Sequence, residues 1–270
     1  VAPHWKSREW ISGFTGSAGT VVITTNQAGL WTDSRYFLQA AQQLKGTEIK
    51  LYKEMLPETP SISAFLSTQL TPGDAVGIDG KMFSAEEVER MQAELQKCQI
   101  KVKSISDPLD KLWTDRPPMP EAPAFIYETQ YAGKSSIEKI AIIRKELKKC
   151  NAKALFLSAL DEIAWTLNLR GNDVHCNPVL VSYLLIEENE THYFIQPQKI
   201  TAEVATYMKE TGVNLHTYEE AEAYLSRISV ESLLLNPAKT NYAMYSAVNP
   251  DCRMIHGASP VTLLKAIRNE

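Results

Sequence analysis

Residues 116–123 read Arg-Pro-Pro-Met-Pro-Glu-Ala-Pro, four prolines in eight positions. Proline has no backbone N–H to donate and pushes the residue before it out of the helical region, so neither a helix nor a central strand can run through this stretch. It divides the chain into two lengths, 1–117 and 118–270, each of which has to bury a core of its own. With 270 residues and 44% apolar side chains there is enough material for two cores.

Both lengths alternate short strands and amphipathic helices. In the first, the β-branched run at 20–25 turns at Asn26-Gln-Ala-Gly29 into a second short strand. A helix is predicted over 34–44, where Tyr36, Phe37, Ala40, Ala41 and Leu44 fall at helical spacing. A strand at 48–52, a helix at 61–70 and, after the turn residues Thr71-Pro-Gly-Asp74, a strand at 75–79 follow. Ser84-Ala-Glu-Glu87 has capping-box spacing and opens a helix to 98. The segment 100–105 alternates as a strand, and 108–113 is predicted to close this half as a short helix.

The second length opens on another capping box, Ser135-Ser-Ile-Glu138, and a helix to 149 with Ile140, Ile143 and Leu147 on one face. A strand at 153–158, a helix at 161–169 and a hairpin of 179–186 with 191–195 come next. The hairpin turns at Glu187-Glu-Asn-Glu190. A helix at 202–210, short segments at 213–216, 218–228, 233–236, 242–248 and 253–256, and a helix over 259–269 complete the chain. Strands and helices of this size in alternation imply an α/β fold, a sheet covered by helices.

Gly13, Gly16 and Gly19 recur at three-residue intervals just ahead of the first hairpin, so the backbone there must turn tightly or be approached closely. Val1-Ala-Pro-His-Trp-Lys6 reads like the middle of a segment, with no helix or strand predicted before the glycines. The two lengths also echo one another. Trp10 and Gly13 ahead of a hairpin are matched by Trp165 and Gly171 ahead of another, and 107–112 is matched by 260–264. Few identities but a shared order of elements point to a diverged duplication.

Ser12-Gly-Phe-Thr-Gly-Ser-Ala-Gly19, followed by Trp31-Thr-Asp-Ser-Arg-Tyr-Phe-Leu-Gln-Ala-Ala41, resembles the first non-catalytic domain of the cytosolic-type aminopeptidase P family. These are the Xaa-Pro aminopeptidases of the creatinase/prolidase superfamily. Leu112-Trp-Thr-Asp-Arg-Pro117, and Ala159-Leu-Asp-Glu-Ile-Ala-Trp-Thr-Leu-Asn-Leu-Arg-Gly171 with Asn177-Pro178 behind it, match the same family in its own order. The resemblance implies two related creatinase N-terminal-like domains, 1–117 and 118–270, each a mixed β-sheet flanked by helices. In the family a helix, a first strand and a polar turn come before this point, so domain 1–117 is expected to be trimmed at its start.

The resemblance further implies a cytoplasmic, homodimeric enzyme that releases the N-terminal residue from peptides with proline second. Two divalent metals, manganese by expectation, would sit on two Asp, one His and two Glu of a catalytic domain beginning about where this chain ends. On that reading the chain holds no metal and no catalytic residue, is inactive alone, and shapes the substrate groove and dimer contacts. The alternative is a non-catalytic protein-binding module with an aminopeptidase-like fold, such as occurs in a eukaryotic histone chaperone.

The residues themselves offer little local chemistry. His4, His175, His192, His216 and His256 are scattered, and none belongs to an HExxH motif. Asp173-Val-His-Cys176 mixes ligand types, but a metal site needs more than one loop, and a small-molecule enzyme built on His175 and Cys176 is the weakest reading. The glycine run precedes a strand where a dinucleotide fingerprint follows one, and Gly133-Lys-Ser135 lacks the first glycine of a Walker motif because Glu128 stands there. Ser17 has no nucleophile-elbow context. Asp161 and Glu162 at a helix start serve the helix dipole. The five tryptophans read as core or interface anchors.

Arg35 keeps a functional reading. It follows a strand end and opens a helix, so its guanidinium either pins the turn through Asp33 or projects from the sheet edge. In the resembled family the Arg of this motif lies near the substrate groove, which makes Arg35 the candidate substrate-binding residue, its fork suited to a peptide carbonyl or carboxylate.

A net charge of −4 gives no surface bias toward nucleic acid or anionic membrane, and neither partner is expected. Cys98, Cys150, Cys176 and Cys252 form no CxxC pair and read as reduced thiols. No apolar run reaches membrane-spanning length.

Overall fold

The computed structural model describes residues 1–267. The chain divides into two compact units, one of Pro3–Ile78 with Val88–Pro118, the other of Asp79–Glu87 with the residues from Met119 on.

The first unit opens with a 3-10 turn at Pro3–Trp5 and helix α1 (Ser7–Ser12), so the expectation that no helix precedes the glycines is corrected. Six residues are too few to show a period, and the helix is set by its end, where Gly13 takes a left-handed conformation (φ 70°) and donates its N–H to Glu9 O. Strand β1 (Thr20–Ile23) pairs antiparallel with β2 (Ala28–Thr32), Val21 opposite Leu30. A 3-10 turn at Ser34–Tyr36 and α2 (Phe37–Gln43) cross to β3 (Ile49–Lys53), which lies parallel to β2.

Successive residues of β2 face opposite sides of this sheet, so each side gathers its own core. Leu30 packs with Phe14, Ala40 and Leu44. Trp31 packs with Phe65, Leu66, Leu95 and Ile100 and stacks on Tyr52 at 3.9 Å. Helix α3 (Ile62–Gln69), strand β4 (Ala75–Asp79), helix α4 (Ala85–Gln96) and strand β5 (Lys101–Ile105) follow, with β4 and β5 forming a separate two-stranded sheet. Ser84 caps α4 through the predicted box, its hydroxyl and N–H both donating to Glu87 Oε2.

The helix predicted at 108–113 is absent; turns run from Pro108 to Leu112. Asp107 Oδ1 accepts the Leu109 N–H and opens a turn, and the Trp113 N–H reaches Leu109 O, so one helical turn forms there and is not continued. The prolines at 117 and 118 then prevent extension.

In the second unit β6 (Phe125–Ile126), α5 (Thr129–Ala132), α6 (Ser136–Lys149), β7 (Ala154–Leu157), α7 (Leu160–Leu167) and β8 (Leu169–Arg170) lead to the hairpin of β9 (Ser182–Glu187) and β10 (Thr191–Ile195). Helix α8 (Ala202–Glu210), β11 (Asn214–His216), α9 (Glu220–Leu225), β12 (Ser232–Leu235), α10 (Tyr242–Ala247), β13 (Arg253–His256) and α11 (Pro260–Leu264) complete it. The helix predicted over 259–269 is limited to α11 here, and Arg268 and Asn269 lie outside the described residues.

Six strands form one mixed sheet in the order β11-β10-β9-β7-β12-β13, with β9 antiparallel to both its neighbours and the other pairs parallel. Helices cover both faces. Ile143, Leu167, Met208 and Val261 pack with Leu155, Leu184 and Tyr193 on one face, while Leu225 and Met244 pack with Phe156, Leu185 and Phe194 on the other. Burial on both faces is why β7, β9 and β12 read as unbroken apolar runs.

The units share a plan. An antiparallel hairpin with a third strand parallel to its second member, β1-β2-β3, recurs as β9-β10-β11, and the pair β4-β5 recurs as β12-β13. In the second unit β7 joins the two pieces into one sheet; among the described residues the first unit has no strand in that position.

Candidate functional site

The glycine loop of the first unit is held from beneath by a residue that sequence reading passed over. Arg8, on α1, donates from Nη1 to Gly19 O (2.7 Å) and from Nη2 to Gly16 O, with its guanidinium 5.5 Å from the centre of the Phe14 ring. The same ring fills the space above Gly16, where a Cβ would come within 2.2 Å of it. A side chain at 16 is therefore excluded by close approach. Thr32 Oγ1 donates to Ala18 O (2.7 Å), and Ser17 Oγ lies 2.5 Å from Tyr36 Oη, so the loop is stitched to the end of β2 and the turn after it.

Arg35 stands on that turn. Its Nε and Nη2 donate to Asp33 Oδ1 and Oδ2 at 2.9 and 2.7 Å, while Asp33 Oδ1 also accepts the Arg35 N–H and so caps the 3-10 turn. The two-pronged bond holds the Asp33 carboxyl below its ordinary range and the guanidinium above its own. Arg35 is 67% exposed, so one edge of its fork pins the turn and the other faces water. The bond to Asp33 pins the turn, and the side chain stays largely exposed. Ser17's hydroxyl is engaged by Tyr36.

A groove of about 420 Å³ in the second unit is lined by Asp161, Trp165, Arg170, Pro178, Thr262 and Lys265, among others. Asp161 pairs with Lys265, and Glu162 Oε1 accepts the Thr262 hydroxyl (2.6 Å), so the two acids at the start of α7 anchor the chain around α11. Arg170 donates to Ala164 O and Leu169 O and stacks its guanidinium 4.6 Å from the Tyr127 ring. The groove therefore offers an aromatic wall and two cations already engaged, one of them in the Asp161–Lys265 ion pair.

Behind its wall, Lys139 is 2% exposed; its Nζ donates to Trp165 O (2.9 Å) and sits 4.5 Å from that indole's centre. Burial, and then the charge of Arg170, push this lysine down to about 8. A legible signal was available here, since Lys139 lies one turn from Ile143 on the apolar side of α6.

The mixed group at 173–176 does not converge. Asp173 turns inward to a fully buried ion pair with Lys199 and accepts the Val181 N–H, while His175 and Cys176 are exposed. Ser135, the end of the rejected Walker motif, caps α6 through a complete capping box.

The histidines are less scattered than their numbering implies. Strand β11 lies parallel to β10 and sets His216 beside His192, with Nε2 of the first 3.0 Å from Nδ1 of the second. Tyr224 Oη is 2.9 Å and Glu190 Oε2 3.2 Å from His192 Nε2. Burial, then His216, lower the His192 pKa against the pull of Glu190. Local spacing could not reveal a group assembled across a parallel strand pair.

The two halves each match a sequence model described as the Creatinase/Prolidase N-terminal domain, residues 3–112 and residues 115–270. This chain belongs to the creatinase/prolidase family. Its creatinase-type relatives include aminopeptidase P2 of Arabidopsis thaliana, 36% identical over 93% of this chain and 36% of the relative. Another is the Xaa-Pro aminopeptidase ApepP of Drosophila melanogaster, 36% identical over 99% of this chain and 44% of that protein. Among solved structures, the X-prolyl aminopeptidase of Caenorhabditis elegans, described as a cytosolic enzyme with a di-nuclear active site, superposes with a TM-score of 0.93 at 29% identity. It covers all of this chain, which in turn covers 45% of it. The chain thus spans less than half the length of these relatives.

A di-nuclear centre does not fit the described residues. The one group of three or more His, Cys, Asp or Glu ligand atoms lying together among them is Glu187, Glu190 and His192, a set sufficient for one ion and too small to bridge two. No described helix is long and apolar enough to cross a membrane.

Proposed function

We propose that this chain is the N-terminal portion of a metal-dependent, cytoplasmic aminopeptidase that releases the N-terminal residue from Xaa-Pro peptides. Domains 1–117 and 118–270 shape the substrate groove and supply contacts of a homodimer, while two divalent metals, manganese by expectation, are held by a catalytic domain outside this sequence. The observation that carries the reading is the unbroken likeness to Xaa-Pro aminopeptidases across both halves, at 36% identity over 93% and 99% of the chain. Arg35 is the residue we assign to the peptide. Its free edge faces water beside a loop tied down by Arg8, Thr32 and Tyr36, so a peptide carbonyl or carboxylate meets a preset donor pair.

The test is an assay of the 270-residue chain and of a C-terminally extended protein on an Xaa-Pro peptide with manganese. Turnover is expected from the extended protein and none from the chain alone. Turnover by the chain alone overturns the division of labour.

A further inference from the structure

The turn joining β9 to β10 brings two carboxylates over a histidine. Glu187 ends β9, Glu190 closes the turn, and His192 is the second residue of β10. Strand alternation puts Glu187 on the face of Leu185 and His192 on the face of Phe194, the side of the sheet that α9 covers. One ligand atom from each of Glu187, Glu190 and His192 lies within 4.8 Å of the other two. His192 is 4% exposed, and Glu190 keeps a solvent-facing side chain, so the group opens outward on one side only.

The separation of His192 from Glu190 suits a small cation. Two ligands bonded at ~2.0–2.1 Å to one tetrahedral ion stand roughly 3.3 Å apart. His192 Nε2 and Glu190 Oε2 are already 3.2 Å apart. When His192 Nδ1 carries the ring proton and donates it to His216 Nε2, the Nε2 lone pair is left beside Glu190 Oε2 and the Tyr224 hydroxyl, and an outer partner on the other ring nitrogen is the arrangement that a metal-ligating imidazole takes.

The charge balance points the same way. Among the described residues the Glu187 carboxylate has no hydrogen-bond or ion-pair partner. Arg144 approaches this turn and donates from Nε to Glu187 O and from Nη2 to Glu190 O and the Thr191 hydroxyl, which points to the opposite face from His192.

We propose that Glu187, Glu190 and His192 form a site for one divalent transition-metal ion of the zinc class, with the Tyr224 hydroxyl or a water as fourth ligand. Two carboxylates and a neutral imidazole around a dication leave no net formal charge. One nitrogen and two oxygens in a four-coordinate set favour zinc over magnesium, which demands octahedral oxygen ligation. The bound ion ties the hairpin turn to β10 and, through His216 and Tyr224, to β11 and α9.

The experiment is a zinc titration of the 270-residue chain, with the exposed thiols Cys98, Cys150 and Cys176 replaced by Ser in every sample so that they do not compete. One equivalent is expected to bind and, at about 100-fold excess over its Kd, to raise the thermal midpoint by roughly 5 °C. Cobalt in place of zinc gives d–d absorption without thiolate charge transfer. Glu187→Gln and Glu190→Gln each weaken binding at least about tenfold. Unchanged zinc affinity in Glu190→Gln, a surface substitution that leaves the core intact, overturns the proposal. So does the lack of saturable binding up to about 1 mM zinc, and a midpoint shift from magnesium as large as that from zinc overturns the choice of ion.

Discussion

Arg35 and Asp33 set a cost against a gain at one residue. An ion pair this open to water is screened and contributes little to stability, so replacing Arg35 should leave the fold nearly untouched. A charge-assisted bond from the same guanidinium to a bound peptide is worth roughly 1.5–3 kcal/mol. Arg35→Ala in the C-terminally extended protein is therefore expected to lower kcat/KM on an Xaa-Pro peptide by roughly 10- to 100-fold, with the thermal midpoint unchanged. Arg35→Lys, which keeps the charge and loses the fork, should recover only part of that loss. A drop in midpoint with kcat/KM intact would mean that the residue only pins its turn. The buried pair Asp173–Lys199 is the opposite case, because both side chains are fully enclosed. Lys199→Met strands the Asp173 charge and should cost about 3–5 kcal/mol in a urea titration. Adding Asp173→Leu removes that charge, so the double variant should lose less than the sum of the singles; additive losses would show that the two groups are not coupled.

At the scale of an element, α6 couples a sequence signal to a pH dependence. Lys139 is pushed down to about 8 from an ordinary value near 10.5, so in the folded chain the charged form is penalised. Below pH 8 both folded and unfolded chains carry the proton and the penalty is paid in full. Between about 8 and 10.5 the unfolded chain binds more protons, and stability rises with pH, by as much as roughly 3 kcal/mol across the window. The difference in unfolding free energy between the parent and Lys139→Met, measured from pH 7 to 10, isolates this group because the other titrations cancel. A flat difference would show that Lys139 has its ordinary pKa. Where the chain's pattern is local, it was readable from the residues alone: the boxes at Ser84 and Ser135, the apolar face of α6 and the loop at Gly16 all lie within a few positions of their partners. What escaped lies across strands or turns. His192 meets His216 only because β10 and β11 are parallel neighbours, and Arg8 is informative only once the loop closes over it.

For the molecule as a whole, the shared plan of the two units hides unequal stabilities. In the second unit β7, β9 and β12 are each paired on both sides and buried on both faces, so their amides open only when that unit's core opens. In the first unit β4 and β5 pair only with each other, and β5 exposes four of its five residues. Few buried apolar groups hold that pair, and its backbone bonds lie near water. Hydrogen exchange followed by mass spectrometry should therefore find the amides of β4 and β5 exchanging first, at least about 100-fold faster than those of β7 and β12, a gap of roughly 2.7 kcal/mol in opening free energy. The three-stranded sheet of the first unit should fall between, with β2 slowest because it alone is paired on both edges. Protection of β5 equal to that of β7 would overturn this ranking and show that burial and pairing do not set the order of opening.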